Sequence, residues 1–375
     1  MIRRAALALV AAATVAVWAP SVAAAADPPV YAYYYIWFNA SSWNRAKEDY
    51  PLLGRYSSDE QRVMRQQIRW ARRAGIDGWI VSWKDTPILT DRLATLARIA
   101  REERFKLSVI YQGLDFSRQP LPVEQVGRDL DTFIRRFAGD PVFAFRDRPL
   151  VVWSGTWKFT RREIASITAP RRDRLTILAS ERNARDYEVK ADVVDGDAYY
   201  WSSANPATYP DARGKLRAMS AAVDRHAGLW IAPAAPGFDA RKVGGTTIVP
   251  RKGGETFRGA LATALSSRPD MLGVISWNEF SENSQVEPSQ RYGDSALEVL
   301  ADVLHAPQPA VGDFDSSAPA GGGGALDVLP AIGGVLGLLA GGVLLRRRRT
   351  RRRASAALAW DEDFEDRLRG DALRR

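Results

Sequence analysis

The chain predicts an α/β fold of the (β/α)8 barrel class, the TIM barrel, and three observations carry the prediction. Eight short apolar runs, rich in β-branched and aromatic residues, recur between residues 30 and 276. Most are separated by stretches with helical periodicity. No Gly-x-Gly-x-x-Gly loop follows the first run, so the rival topology, an open doubly wound sheet, lacks its usual signal. Strands buried on both faces read as near-continuous apolar runs. Eight strand–helix units in about 280 residues suit a closed barrel.

The expected strands are 30–37, 78–83, 106–111, 150–153, 175–179, 193–199, 229–233 and 272–276. The helix after the first is the clearest. Ser58 stands where a cap is needed, and Gln61 completes a capping box three residues on. Met64, Ile68 and Ala71 repeat on one face, and Gly75 ends the helix. After Glu255, the residues Phe257, Leu261 and Leu265 form one apolar stripe.

Both flanks differ from this body. Residues 1–26 begin with Arg3 and Arg4, continue in an apolar run and end Ala24-Ala25-Ala26, the pattern of a secretory signal cleaved before Asp27. A retained anchor is the alternative, but its apolar run is short for a span of about 20 residues. Residues 307–325, rich in Pro, Gly and Ser, read as a flexible stalk. A transmembrane helix is expected over 326–345, whose uncharged part, 328–345, is 18 residues long. Arg346 to Arg349 follow at once and mark the cytoplasmic side, leaving the 27–306 domain outside the cell and the 346–375 tail inside.

Of the net charge of +9, the two flanks carry +4 and the body +5. The 27–306 body has 40 basic and 35 acidic residues, a mildly basic surface rather than a nucleic-acid footprint. Cysteine is absent and only His226 and His305 are present, which excludes thiolate and histidine-rich metal sites. A carboxylate calcium site stays open. A monomer is expected, and its expected partner is a polysaccharide or oligosaccharide.

That expectation comes from the strand ends, where a barrel enzyme holds its working groups. The last run reads Ser276-Trp277-Asn278-Glu279-Phe280-Ser281-Glu282 and delivers two glutamates three residues apart. Splitting a glycosidic bond needs two carboxylates at a fixed separation, one protonating the leaving oxygen and one assisting at the ring. If the chain turns helically after Asn278, their Cβ atoms lie about 5–6 Å apart. Like charges so close raise the pKa of one, which then serves as an acid near neutral pH. The alternative is two solvated loop acids.

Other strand ends add aromatic rings and polar groups suited to sugar faces and hydroxyls. They are Tyr34, Tyr35 and Trp37 on the first strand, Trp83 on the second, Gln112 on the third and Glu181 on the fifth. Asp197 and Tyr199 follow on the sixth, Asp239 and Arg241 on the seventh, and Trp277 and Asn278 on the eighth. Each also has a plainer reading. The rings fit ordinary packing, and Asp195 and Asp197 fit a turn. Glu181 could pair with Arg182 or Arg185, and Asp239 could cap a turn and bond Arg241.

Several motifs resemble those of glycoside hydrolase family 99, the endo-α-mannosidase family. Residues 50–58, Tyr-Pro-Leu-Leu-Gly-Arg-Tyr-Ser-Ser, resemble its Tyr-Pro-x-Leu-Gly-x-Tyr-Ser-Ser element. Residues 74–83 resemble its second strand, and 236–239, Pro-Gly-Phe-Asp, its seventh-strand loop. Residues 276–287 resemble its Ser-Phe-Asn-Glu-Trp-His-Glu-Gly-Thr-Gln-Ile-Glu signature. The likeness runs in order over most of 30–295, at the level of the family 71/99-like group. It implies a retaining, endo-acting hydrolase of α-linked glycans without a cofactor. By position it makes Glu279 the base that draws the proton from the sugar 2-hydroxyl and Glu282 the general acid, then base. There are departures. Phe280-Ser281-Glu282-Asn283 stands for Trp-His-Glu-Gly, and Ile110-Tyr111-Gln112-Gly113-Leu114 stands where the family carries His-x-Glu-Pro-Tyr. A carbohydrate-binding or sensing protein on an inactive barrel, and a transglycosylase using the same pair, are the competing expectations.

Overall fold

The computed structural model describes residues 27–309 except 116 and 206–208. Eight parallel strands run β1 (Val30–Tyr35), β2 (Gly78–Trp83), β3 (Lys106–Gln112), β4 (Arg148–Ser154), β5 (Thr176–Leu178), β6 (Gly196–Ala198), β7 (Leu229–Ala234) and β8 (Met271–Val274). Each pairs with its sequence neighbours, and β8 returns to β1 with Val30 opposite Leu272. The gap between β5 and β6 is bridged at Ala179, whose N–H reaches Gly196 and whose carbonyl takes the N–H of Ala198, at 2.9 and 2.8 Å. The ring of strands is therefore closed, which excludes the open sheet.

A helix follows each strand: α1 (Gln61–Arg73), α2 (Pro87–Glu102), α3 (Val123–Phe137), α4 (Arg161–Thr168), α5 (Ala184–Glu188), α6 (Ala212–Arg225), α7 (Glu255–Leu265) and α8 (Ser295–Val303). Strand side chains alternate between two buried layers. Tyr31, Tyr33, Ile80, Ile110, Val152 and Ile231 fill the barrel interior. Tyr34, Trp79, Val81, Val109 and Trp277 belong to the outer layer packed under the helices. Gly78 makes the interior layer fit, since a Cβ there would stand 2.7 Å from the Tyr31 ring. Met64 and Ile68 of α1 are fully buried, and removing each from water stabilises the fold by about 1.5–3 kcal/mol.

The start of α1 departs from expectation. Its cap position is Glu60 and no side chain caps it. Ser58 is buried instead, and its hydroxyl accepts the N–H of Phe38 at 3.1 Å, tying down the chain as it leaves β1. Arg92 of α2 clamps the same connection from below. It bonds both oxygens of Asp59 at 2.7 and 2.6 Å and the carbonyl of Ile36 at 2.9 Å. Gly75 closes α1 at φ +85°, and Phe257 and Leu261 are buried as read. Strand β6 is shorter than expected because 191–193 coil into a 3-10 turn whose valine is still buried.

Among the described residues, no helix is long and apolar enough to cross a membrane. The signal over 1–26, the span over 326–345, the tail over 346–375 and all but the first three residues of the stalk lie outside the described residues.

Candidate active site

After β8 the chain loops out and returns across residues 275–290. The N–H of Trp277 bonds the Tyr33 carbonyl at 2.8 Å, and Val286 and Glu287 return to Ser276 and Trp277. The Tyr-Pro element near residue 50 lies against the returning arm. Leu52 N–H reaches Pro288, and Gln290 N–H reaches Tyr50, at 2.9 and 2.8 Å. Asn278 holds the outgoing arm. Its side-chain oxygen accepts Tyr35 N–H at 2.8 Å, and its amide donates to the Tyr35 carbonyl at 2.9 Å. It acts as one more rung between the ends of β1 and β8.

The turn that follows carries the glutamate pair. It is a set of tight turns rather than a helix. The hydroxyl of Ser276 accepts Glu279 N–H at 2.8 Å, and the Glu279 carboxylate accepts Ser281 N–H at 3.0 Å. Both glutamates are buried. Burial raises the proton affinity of Glu279, up to about 7, against the pull of Ser281 and Lys47. Burial and then the neighbouring Glu279 charge push Glu282 well above the ordinary carboxylate range, and Arg118 opposes. The pair is thus electrostatically linked, and both carboxyls hold a proton more tightly than a solvated glutamate.

Tyrosines stand around the pair. The hydroxyls of Tyr35 and Tyr200 meet at 2.6 Å. Burial raises both, and the charges of Glu279 and Glu282 add to this. The half-buried Trp37 stacks on Tyr35, with centroids 4.3 Å apart. Gln112 is half-buried at the end of β3, its amide bonded to the Ser82 hydroxyl at 3.1 Å. Lys47, whose pKa burial lowers, holds the Ser42 carbonyl at 3.0 Å and lies close enough to Glu279 to act on its charge.

Several expected residues are placed elsewhere, and strand alternation is the reason. Tyr34 faces outward, stacked on Trp79 with its hydroxyl on Gln67 at 2.6 Å. Trp83 packs outward against Phe133 and bonds Thr90. Trp277 packs on Trp79. Tyr199 points toward α6, where Lys215 sits 5.2 Å from its ring, so its neighbour Tyr200 is the ring at the pair. Glu181 pairs with neither Arg182 nor Arg185. It bonds Lys190 at 2.8 Å, while its own N–H goes to Asp197 at 2.8 Å. Glu181, Lys190 and Asp197 form a buried polar cluster that makes no hydrogen bond to the glutamate pair. Asp239 takes three hydrogen bonds from the Arg241 guanidinium, which holds its carboxyl below the usual range, and it also accepts Arg241 N–H. Its own N–H reaches the Glu282 carbonyl at 2.7 Å, so it braces the turn of the pair.

One buried acid escaped the sequence reading as a candidate. Glu287 accepts the Tyr56 hydroxyl at 2.8 Å and the Gln67 amide at 2.9 Å, and burial pushes it up to about 8. Tyr56 also receives the Asn278 amide at 3.3 Å, so this chain of bonds supports the residue that positions the turn.

The fold is shared with solved proteins. An endo-α-mannosidase of family 99 from Bacteroides thetaiotaomicron, solved with bis-tris-propane, aligns at 18% identity over 74% of this chain and 98% of its own, with a TM-score of 0.66. A second structure of that enzyme aligns at 16% over 74% and 96%, with a TM-score of 0.65. A protein described as glycoside hydrolase-like aligns at 15% over 74% and 94%, with a TM-score of 0.59. Residues 13–302 match the sequence model of glycosyl hydrolase family 99, a stretch that spans all eight strands and the turn of the pair. This chain, with its closed barrel and buried glutamates at the end of the eighth strand, belongs to glycosyl hydrolase family 99 and is a glycoside hydrolase.

Proposed function

We propose that the protein cleaves α-linked mannosyl glycans with retention, through Glu279 and Glu282. The observation that carries the reading is two buried carboxylates three residues apart in the turn after the last strand. Burial raises the proton affinity of both, Glu279 up to about 7, which suits a base and an acid working near neutral pH. Glu279 takes the proton of the sugar 2-hydroxyl. That oxygen attacks the anomeric carbon, and the glycosidic bond breaks as Glu282 protonates the leaving oxygen. Water then opens the three-membered ring, giving its proton to Glu282, and the 2-oxygen recovers its proton from Glu279. Tyr35 and Tyr200, bonded to each other beside the pair, are placed to orient the sugar.

The mannosyl preference rests on the family and on the name of the Bacteroides enzyme. We place the reaction outside the cell, at the membrane surface, on the signal-like start and on the apolar run before the arginines of 346–353. Gln112, at the position of the family's third-strand carboxylate, favours a second reading in which the site binds glycans without cleaving them. Release of reducing ends from an α-mannan separates the two. The Glu282→Gln protein should lose about 10²–10⁴-fold in rate, as expected when a general acid is removed. Unchanged rates in Glu282→Gln and Glu279→Gln would end the catalytic reading, and binding without release by the unaltered protein would favour the second.

A further inference from the structure

A cavity of about 330 Å3 lies between the β7–α7 and β8–α8 connections, beside the turn of the glutamates. Arg241, Arg251, Lys252 and Arg291 line it, against the single carboxylate of Asp239. That carboxylate is already matched by Arg241 at 2.6 Å, and Arg291 approaches Glu48 at 3.6 Å. Arg251 and Lys252 have no acidic partner within 4 Å among the described residues. Arg251 is fixed in place. It donates to the carbonyls of Asn283 and Gln285 at 2.9 and 2.7 Å and lies 4.2 Å over the Tyr292 ring. Its Nε is buried and makes no hydrogen bond.

The backbone contributes in the same sense. Gly253 and Gly254 before α7, and Ser295 and Ala296 at the start of α8, also line the cavity. Neither helix has a side-chain cap at its start. The N–H groups of Gly254 and Ser295 already bond the Arg251 and Tyr292 carbonyls, and Glu255 and Glu298 stand in the first turns, so the helix dipoles add a smaller pull on an anion than the basic side chains. Barrels of this class often hold phosphate between the connections after the seventh and eighth strands.

We propose that this cavity binds a tetrahedral oxyanion of the phosphate class, gripped by Arg251 and Lys252 with Arg291 at the rim. A free phosphate and a phosphate ester on a sugar offer the same chemistry. Arg251 also holds the carbonyl of Asn283, the residue after Glu282, which links the cavity to the turn of the pair. The proposal does not depend on hydrolysis, since it is read by binding.

The test is calorimetric titration of the full chain with sodium phosphate at low, constant chloride. Saturable one-to-one binding is expected. Lys252→Gln and Arg291→Gln alter exposed side chains, so the fold is kept, and each should bind phosphate about tenfold more weakly. Competition with mannose 6-phosphate, using mannose as control, identifies the source. Displacement by the ester points to a glycan-borne phosphate, and displacement by inorganic phosphate alone to the free ion. Absence of saturable binding at millimolar phosphate, or equal binding by the unaltered protein and both variants, would overturn the proposal.

Discussion

Replacing Glu287 by Gln should change how stability responds to pH. The folded protein keeps the Glu287 proton up to about 8, while an unfolded glutamate loses it at about 4.5. Between those values the folded state binds more protons than the unfolded state, so stability falls as pH rises. The gap corresponds to an upper limit of about 5 kcal/mol at high pH. Between pH 6 and pH 9 the loss attributable to this group is about 2–3 kcal/mol. A glutamine cannot ionise and loses none of it. The amide can accept only one of the bonds now made by Tyr56 and Gln67, which costs about 1 kcal/mol at every pH and does not affect the slope. Thermal unfolding followed at pH 6 and pH 9 reads the difference. Relative to the unaltered protein, the variant should gain roughly 5–10 °C on going to the higher pH, given the usual relation for domains of this size. Parallel pH curves for the two proteins would show that Glu287 does not carry a proton in the fold, and the argument from its burial would be wrong.

Other outcomes follow from the same reasoning. The kcat/KM profile on an α-mannan should rise as Glu279 ionises at about 7. A rising limb at the ordinary glutamate value of 4.5 would contradict the burial of the pair. Lys190→Met should cost about 3–5 kcal/mol in urea unfolding at neutral pH by leaving Glu181 buried and unmatched. The loss should shrink near pH 5 as that carboxyl takes up a proton. Adding Glu181→Gln should restore part of the stability, and no recovery would mean that the lysine acts by packing. Ser58→Ala should destabilise by about 1 kcal/mol through the orphaned Phe38 N–H, with the helix content by circular dichroism unchanged.

The barrel was readable because its strands are buried on both sides, so apolar runs such as 78–83 and 229–233 coincide with strands almost to the residue. The reading slipped where burial and strand part company. Val193 and Val194 are buried, yet the strand begins only at Gly196. Helix starts were less readable. Ser58 and Gln61 have capping-box spacing, but Phe38 competes for the serine, and nothing near residue 58 in the chain announces it. At the site, the identity of the glutamate turn was legible from its position after the last apolar run. The choice among neighbouring rings was not. Tyr34 against Tyr35, and Tyr199 against Tyr200, depend on which face of a strand looks inward. The small residue Ala198, interior to the barrel, was the available sign that Tyr200 follows it inward. Glu287 looked like one more loop acid because Tyr56 and Gln67, which bury it, lie 231 and 220 residues away.

The rung that Asn278 makes with Tyr35 joins residues 243 apart, which are the two ends of the described barrel. A chain still emerging from synthesis has β1 long before it has the turn of the glutamates. The amide of Asn278 can find its partner only once β8 has closed against β1. Every preceding strand must be in place for that closure. Hydrolytic competence should therefore depend on closure of the ring. A fragment lacking any one strand should be inert even if it retains both glutamates. Catalytic activity in this protein doubles as a report that the ring is whole.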